Sequence, residues 1–451
     1  MTEEGSALLA SSFAYGLRYL DRPDAIEVDP VSLGIHGEPV TGRRLLPVNE
    51  LTGFGGIRDA APDSWGRRVI EAKLKVPANS LPESQYLLHA GSDRVGALDI
   101  RADINTPPTS AVGNIHAIEY LMEAAERIEE GLPVPANLEL IFVQGTALGG
   151  ARPKATIRDD AGHLVLAKFS SKTDSFDVPL IETASLLLAK EAGLNVPAVE
   201  ARLLGNRRLM MIRRFDRYWL ERGVMPETDT DLLLAPTADR TERRMAFVSG
   251  LTLIGCDETE SRTKAYSDLA AAIRRCCHTA VVRADNEELF KRMVFNVFVT
   301  NDDDHLRNHG FIWDPRLPGW RLSPLYDVLP RPSHATERLL HLEIGPQGRS
   351  ATIDNALAGC QRFSISTARA AELIAGIWAV VREWRVFFEQ YGVGALDCDK
   401  IAPPHSGTWK TSAAPRHDAI CPDALTRPRR AELRACRRGS MRFRRAMPNQ
   451  P

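Results

Sequence analysis

The residues best suited to chemistry in this chain are three consecutive carboxylates, Asp302, Asp303 and Asp304, in the run Thr300-Asn301-Asp302-Asp303-Asp304-His305-Leu306-Arg307-Asn308. Adjacent carboxylates repel one another, so a fold that gathers them must supply a metal ion, a proton or full exposure. Asp303 and Asn308 have the Asp-x4-Asn spacing of a phosphoryl-transfer loop. In such a loop the Asp takes the proton of an acceptor hydroxyl and the Asn side-chain oxygen binds Mg²⁺. The same residues would also make a solvated acidic turn after a helix. Downstream, the run Trp320 to Asp327 predicts a short strand delivering Asp327 where a kinase places its second metal-binding carboxylate. Mg²⁺ favours one or two carboxylates completed by water and phosphate oxygens, which Asn308 with Asp327 satisfies. A turn or cap before Val328 is the plainer use of Asp327.

Two more groups lie upstream. The stretch Gly145-Thr-Ala-Leu-Gly149-Gly150-Ala151-Arg152-Pro153-Lys154 falls between two predicted strands rather than before a helix, which with its spacing argues against a Walker A loop or a Rossmann turn. Adjacent glycines let backbone N–H groups close on phosphates, and Lys154 adds a point charge; a plain hairpin turn is the alternative. Lys168 stands on a predicted strand just after this loop, the place of a lysine that meets the α- and β-phosphates. It would otherwise be an edge-strand lysine with its head in water. Glu182 opens the next helix and either orients Lys168 or favours the helix dipole. Each signal is weak alone. Their order, from Gly-rich loop through strand Lys, helix Glu, hairpin and Asp-x4-Asn to the last Asp, is that of a protein kinase.

Periodicity predicts the elements that position these groups. Residues 1–105 read as β-rich, with strand-like alternation in YGLRYL, AIEVDP and VGALDIRAD. AIEYLMEAAERIEEG has helical spacing, and LELIFVQG reads as a strand entering the Gly-rich turn. KATIRDDAGHLVLAKF reads as two strands around DDAG. IETASLLLAKEAG is a helix stopped by Gly193, and RLLGNRRLMMIRRFDRY is a hairpin around Gly205-Asn206. Residues 245–400 are mainly helical.

Composition is that of a soluble globular chain: 451 residues, 44% hydrophobic, 25% charged and a formal net charge of −1. Bulk charge gives no reason for tight nucleic-acid binding. No apolar run approaches the roughly 20 residues that cross a bilayer, and the N-terminus lacks signal-peptide features. Seven scattered cysteines without CxxC pairs argue against a disulfide framework or a zinc site. A reduced cytoplasmic location follows. Residues 401–451 hold ten Arg, one Lys, two Asp and one Glu, a charge of 11 − 3 = +8, with little apolar periodicity. They read as a disordered tail, with a basic arm that touches nucleic acid as the alternative.

Taken together, the motifs resemble the HipA family of bacterial toxin–antitoxin kinases. Phe54-Gly-Gly-Ile-Arg-Asp-Ala-Ala-Pro-Asp63-Ser-Trp65-Gly-Arg67 is similar to that family's N-terminal segment and reads as packing and turn structure. LLHAGSDRVGALDI, GGARPKAT, AKF, Arg214-Phe215-Asp216-Arg217, NDDDHLRNHGF and LSPLYDVLP follow in family order. The resemblance covers about residues 10–390 and implies an α+β, protein-kinase-like fold, with a β-rich N-terminal lobe and a mainly helical C-terminal lobe. The divisions would be 1–105, 106–240, 241–400 and the tail. It further implies ATP and Mg²⁺ as cofactors and Asp303 as catalytic base. Gly149, Gly150, Ala151, Arg152, Pro153, Lys154 and Lys168 would meet the phosphates, and Arg213, Arg214 and Phe215 the adenine. His305, Leu306, Arg307 and Asn308 would line the nucleotide and metal site, and Asp327 would hold metal. The implied partners are a protein substrate with a target Ser or Thr, such as an aminoacyl-tRNA synthetase, and a HipB-like DNA-binding antitoxin, with DNA contact only through that complex. The family carries a self-phosphorylated Ser in its Gly-rich loop. Here Ala147 stands in that place with Thr146 beside it, which motivates the rival reading of a catalytically weak binding protein acting through an antitoxin and operator complex. A metal-dependent hydrolase built on Asp302–His305 lacks a second ligand cluster.

Overall fold

The structure is a computed structural model that describes residues 1–36, 39–108, 113–114, 117–139, 141, 152–205, 207–332 and 337–402. The expectations for Thr146, Ala147, Gly149, Gly150 and Ala151, and for the tail beyond 402, lie outside the described residues.

Residues 1–105 are not the strand-rich segment that their alternation predicts. Beyond a short hairpin of β1 (Thr2–Glu4) and β2 (Ala7–Ala10), they hold helices α1 (Leu17–Leu20), α2 (Gly55–Asp59), α3 (Ser64–Leu74) and α4 (Glu83–His89). YGLRYL contributes α1, and AIEVDP and VGALDIRAD form no strand. Side chains replace a ladder there. The Tyr15 hydroxyl donates to Leu33 O at 2.5 Å and accepts from Val28 N at 2.9 Å. Asp29 accepts from the backbone N–H groups of Val31, Ser32, Leu33 and Gly56. Backbone groups satisfied in this way have no need of a neighbouring strand.

A five-stranded sheet follows, in the order β3-β4-β5-β7-β6. Its strands are β3 (Gly113–Asn114), β4 (Lys154–Arg158), β5 (Leu164–Phe169), β6 (Val199–Leu204) and β7 (Arg207–Arg213). Only the β3–β4 pair is parallel. Ala155, Ile157, Val165, Ala167, Phe169, Leu209 and Met211 pack in one core with helix α5 (Ile118–Glu129). The alternate residues Met210 and Ile212 join the core of helix α6 (Val178–Glu191) instead. The period of two therefore turns Lys154, Leu166, Lys168 and Ile212 to one face. Of LELIFVQG, Leu138 closes the 3₁₀ turn Ala136–Leu138 and Ile141 is helical, while 140 and 142–145 lie outside the described residues.

A second, larger helical region surrounds the helix Val282–Val299. In chain order it contains β8 (Arg217–Glu221), β9 (Arg240–Arg244), β10 (Phe247–Ser249), α7 (Gly250–Ile254), α8 (Tyr266–Cys276), α9 (Val282–Val299), β11 (Gly310–Asp314) and β12 (Gly319–Leu322), then α10 (Ile353–Gly359), α11 (Thr367–Val381), α12 (Trp384–Gln390) and α13 (Ala395–Ile401). The last half of α9 is buried on every side, from Leu289 to Val299 with the exception of Lys291. A helix buried all round sits inside a core rather than on it, and its two buried polar side chains, Arg292 and Asn296, are hydrogen-bonded there. The helical period that runs from Ala368 to Tyr391 is broken at Arg382–Glu383 into α11 and α12.

Candidate active site

α9 ends at Thr300, whose φ of 60° is the left-handed conformation of a helix terminus. This turn throws the chain out of the core and starts the acidic loop. The three carboxylates then part company. Asp304 is buried, where it accepts from Asn296 Nδ2 at 2.6 Å and from the Tyr266 hydroxyl, with His309 Nε2 at 3.0 Å. Burial works against its charge, but His309 and the Tyr266 hydroxyl hold its carboxyl below the usual range. Asp302 and Asp303 remain about half exposed and share Arg331, with Asp303 Oδ2 at 2.5 Å from the guanidinium and Asp302 Oδ1 at 3.5 Å. The crowding is thus relieved in part by divergence, hydrogen bonding and one shared cation. Among the described residues no group of three or more His, Cys, Asp or Glu is gathered as a metal cage.

Opposite the loop stands Lys168. Its strand is the central one of the sheet, not an edge, and its side chain is 13% exposed. The ammonium donates to Glu182 Oε1 at 2.5 Å and to Asp327 Oδ1 at 2.8 Å. Burial opposes its charge, but Asp327 and then Glu182 outweigh this and hold it above the usual lysine range. In return Lys168 keeps the Asp327 carboxyl well below the usual range. Glu182 is buried against Lys168 rather than exposed at the helix start; burial pushes its carboxyl up against the pull of the lysine. β12 ends at Leu322, so Asp327 is delivered by the irregular segment beyond it, with a left-handed φ of 59°.

Lys154 is the direct cross-strand partner of Lys168. Two cations at such a position repel, and each is given its own acids. Lys154 is 3% exposed and donates to Asp63 Oδ2 at 2.8 Å. Burial pushes its ammonium down and the Asp63 carboxyl up, each against the attraction of the other.

A cleft of about 940 Å³ lies between these walls. Lys168, Arg213, Arg214, Phe215, His305, Arg307, Asn308 and Asp327 all line it, with Leu166, Ile212 and Tyr326 among its apolar surfaces. The Phe215 ring stacks on Tyr326 with centroids 5.8 Å apart, and the Tyr326 hydroxyl donates to Arg307 O at 2.7 Å. These contacts join the loop, the Asp327 segment and the end of β7. Arg214 is buried, bonded to Asp216 Oδ2 at 2.6 Å and to the carbonyls of Asp93 and Arg94. Asn308 donates its amide N–H to Asp303 O at 3.1 Å, which leaves the amide oxygen pointing elsewhere. His305 meets His341 edge-on at 5.7 Å, and burial lowers His341 to about 4. Leu306 is sunk in the core, Lys154 is held by Asp63, and Arg152 pairs with Asp174, so none of these three is among the described residues lining the cleft. Asp59, Asp63 and Ser249 do line it, yet sequence reasoning missed them as site residues. Their only signal was the Asp63-Ser-Trp-Gly-Arg run, read there as packing.

Residues 146–384, more than half of the chain, match the family model described as HipA-like C-terminal domain. The chain belongs to the HipA-like family. A relative from Sinorhizobium fredii (strain NBRC 101917 / NGR234), named "Putative kinase Y4mE", is 26% identical over 328 residues, which cover 70% of this chain and 71% of that protein. The HipA chain of a Shewanella oneidensis MR-1 complex of HipA, HipB and operator DNA superposes with a TM-score of 0.56 at 16% identity, over 77% of this chain and 81% of that one. At that identity the likeness establishes the fold, which is α+β and protein-kinase-like. The HipA-like model begins at the Gly-rich stretch and ends at the start of α12, so it takes in Lys168, Glu182, the acidic loop and Asp327.

Proposed function

We propose that this chain is an ATP- and Mg²⁺-dependent protein Ser/Thr kinase of the HipA toxin type, cytoplasmic, halting translation by phosphorylating a bacterial protein such as an aminoacyl-tRNA synthetase. The observation that carries the reading is the Lys168 ammonium held between Glu182 and Asp327 on the wall of a cleft that Asn308 also lines. Kinase catalysis is mostly positioning and charge stabilisation, and this wall is a pre-formed charge array. Lys168 and the stretch from Gly149 to Ala151 hold phosphates, while Lys154, held by Asp63, fixes the start of β4. Leu166, Ile212 and the segment Arg213–Phe215 offer the base an apolar slot with backbone groups at its edge. Asn308 and Asp327 fit Mg²⁺: one amide oxygen and one carboxylate are hard donors, too few for a protein cage and suited to an ion that keeps water and phosphate oxygens. When bound there, Mg²⁺ neutralises charge developing on the phosphate oxygens.

Asp303 takes the proton of the acceptor hydroxyl. To do so it exchanges Arg331 for that hydroxyl, and a half-exposed pair of this kind is worth at most about 1 kcal/mol. Residues 1–105, 106–240 and 241–400 act as the N-terminal subdomain, the nucleotide-binding half and the catalytic half. A HipB-like antitoxin is the expected partner, with DNA reached only through it. None of the described helices is long and apolar enough to cross a membrane.

The test is Asp303→Asn. Transfer of labelled phosphate from ATP to lysate protein should fall by roughly 10²–10⁴-fold, while ATP affinity stays within about twofold. Phosphopeptides found after brief wild-type expression and absent for the variant identify the substrate. Undiminished transfer by the variant removes Asp303 from the role. No transfer by the wild type favours the rival, a catalytically weak protein working through its antitoxin, which Ala147 and the Arg331–Asp303 pair support.

A further inference from the structure

The seven residues from Asp59 to Trp65 touch both halves of the cleft. At one end, Asp59 accepts from Ser249 N at 2.6 Å, Ser249 Oγ at 2.7 Å and Thr252 Oγ1 at 2.6 Å, all buried. Ser249 ends β10 and pairs with Gly310, while the next residue, Gly250, donates to His309 O at 2.7 Å. Two hydrogen bonds and the Ser249–Gly250 peptide therefore link Asp59 to His309, the chain neighbour of Asn308. The approach is close by design of the sequence: a Cβ on Gly55 would stand 2.5 Å from Thr252 Oγ1, and one on Gly56 would stand 2.6 Å from Val28 O.

At the other end, Asp63 caps α3 by accepting from Gly66 N at 2.7 Å and takes the Lys154 ammonium at 2.8 Å. The fully buried Trp65 donates its indole N–H to Lys154 O at 2.9 Å. One residue, the first of β4, is thus gripped by both its side chain and its carbonyl. The link between the two ends is itself tied down, with Ala60 O accepting from Arg94 at 3.1 Å and Pro62 O from Arg67 at 3.2 Å.

We propose that Asp59–Trp65 is a strap that sets the spacing between the nucleotide-loop side and the catalytic-loop side of the cleft, with Asp59, Asp63 and Trp65 as positioning residues for bound ATP. The inference rests on the kinase reading of the cleft. It gives the N-terminal segment a part in the active site, although that segment precedes the whole kinase-like region matched by the family model.

The experiment titrates the full-length protein with ATP in the presence of Mg²⁺ by calorimetry, beside thermal melts, for wild type, Asp63→Asn, Trp65→Phe and Asp59→Asn. Asp63→Asn keeps the size and cap but weakens a charged hydrogen bond, and should raise Kd for ATP about tenfold or more. Trp65→Phe removes one neutral bond and should raise it about threefold. In transfer assays the effect should sit in KM for ATP rather than in kcat. A residue that only supports stability would lower the melting temperature and leave the Kd of the folded protein unchanged. Wild-type binding with Kd values of folded Asp63→Asn and Trp65→Phe inside about twofold would overturn the strap alone. No ATP binding by the wild type would overturn the kinase reading, and the strap with it.

Discussion

Residues 154–213 and residues 13–66 both hold buried charge against backbone, and they reach order by opposite routes. In the first region, alternation along β4, β5 and β7 sends an apolar set to α5, and places Lys154, Leu166, Lys168 and Ile212 on the other face. Many similar contacts share the work. In the second, a few polar side chains do it: Tyr15 bonds to two backbone groups and Asp29 to four. Order of the first kind tolerates change at any one apolar position and fails at its charges. Order of the second kind depends on one or two atoms at each anchor.

The comparison breaks most visibly at Lys168. Lys168→Met leaves Glu182 buried without its cation, and should cost ~3 kcal/mol in urea unfolding. Lys168→Met with Glu182→Met should restore most of that stability, yet leave ATP binding lost. Recovery of ATP binding by the double variant would show that the lysine serves only to neutralise its neighbour. Asp29→Ala is the matching change in the N-terminal segment. It strips four backbone N–H groups of one acceptor and should cost ~2 kcal/mol, with hydrogen exchange raised locally at Val31–Leu33. A loss spread evenly over the molecule would erase the contrast between the regions.

A third test uses pH at a buried charge just past β7, where residues 94–96 meet 214–217. Asp216 accepts from Gly96 N at 2.8 Å and is paired with Arg214 and Arg217. Burial opposes its charge, and the two arginines outweigh it, holding the carboxyl below its usual value. A folded-state value lower than the unfolded one near 4 adds stability that is complete above that point and is lost as pH falls through it. Wild-type stability should therefore be level from pH 7 to 5 from this source and drop below about pH 4. Asp216→Asn should be weaker at pH 7 and show a flatter decline. Equal slopes for the two proteins would remove Asp216 from the account.

How far all this was legible follows from the same contrast. The helices over 118–129, 178–191, 266–276 and 282–299 and the strands around Asp159–Gly162 were visible because long apolar periods set them. The approach of Lys168 to Glu182 and Asp327, on a cleft that Asn308 also lines, was hinted at by residue order alone, although Asp327 comes from the irregular segment past β12 and not from a strand end. The N-terminal strands were misread because YGLRYL and AIEVDP alternate without a partner strand; their polar atoms bind side chains instead. Asp59 and Asp63 were invisible as site residues because a lone carboxylate in a turn has no period, and only the fold shows that one faces Ser249 and the other Lys154. Nor could spacing tell that Asp304 would sink onto Tyr266 and Asn296 while its two neighbours stayed near the surface.

The smallest expected effect lies in that acidic loop, where the two styles of order meet. Arg331 is anchored by its main chain, donating to Thr300 O at 3.1 Å, but its guanidinium is 50% exposed beside an Asp303 carboxylate that is 48% exposed. An ion pair so well hydrated contributes little. Arg331→Ala should shift unfolding by less than ~0.5 kcal/mol, and the shift should vanish as salt is raised. If the pair merely parks the base until an acceptor arrives, the same variant should keep its transfer activity or gain slightly. A loss of transfer with stability intact would instead mean that Arg331 orients Asp303 for the proton it takes, and the surface pair would then belong with the charged anchors of the cleft.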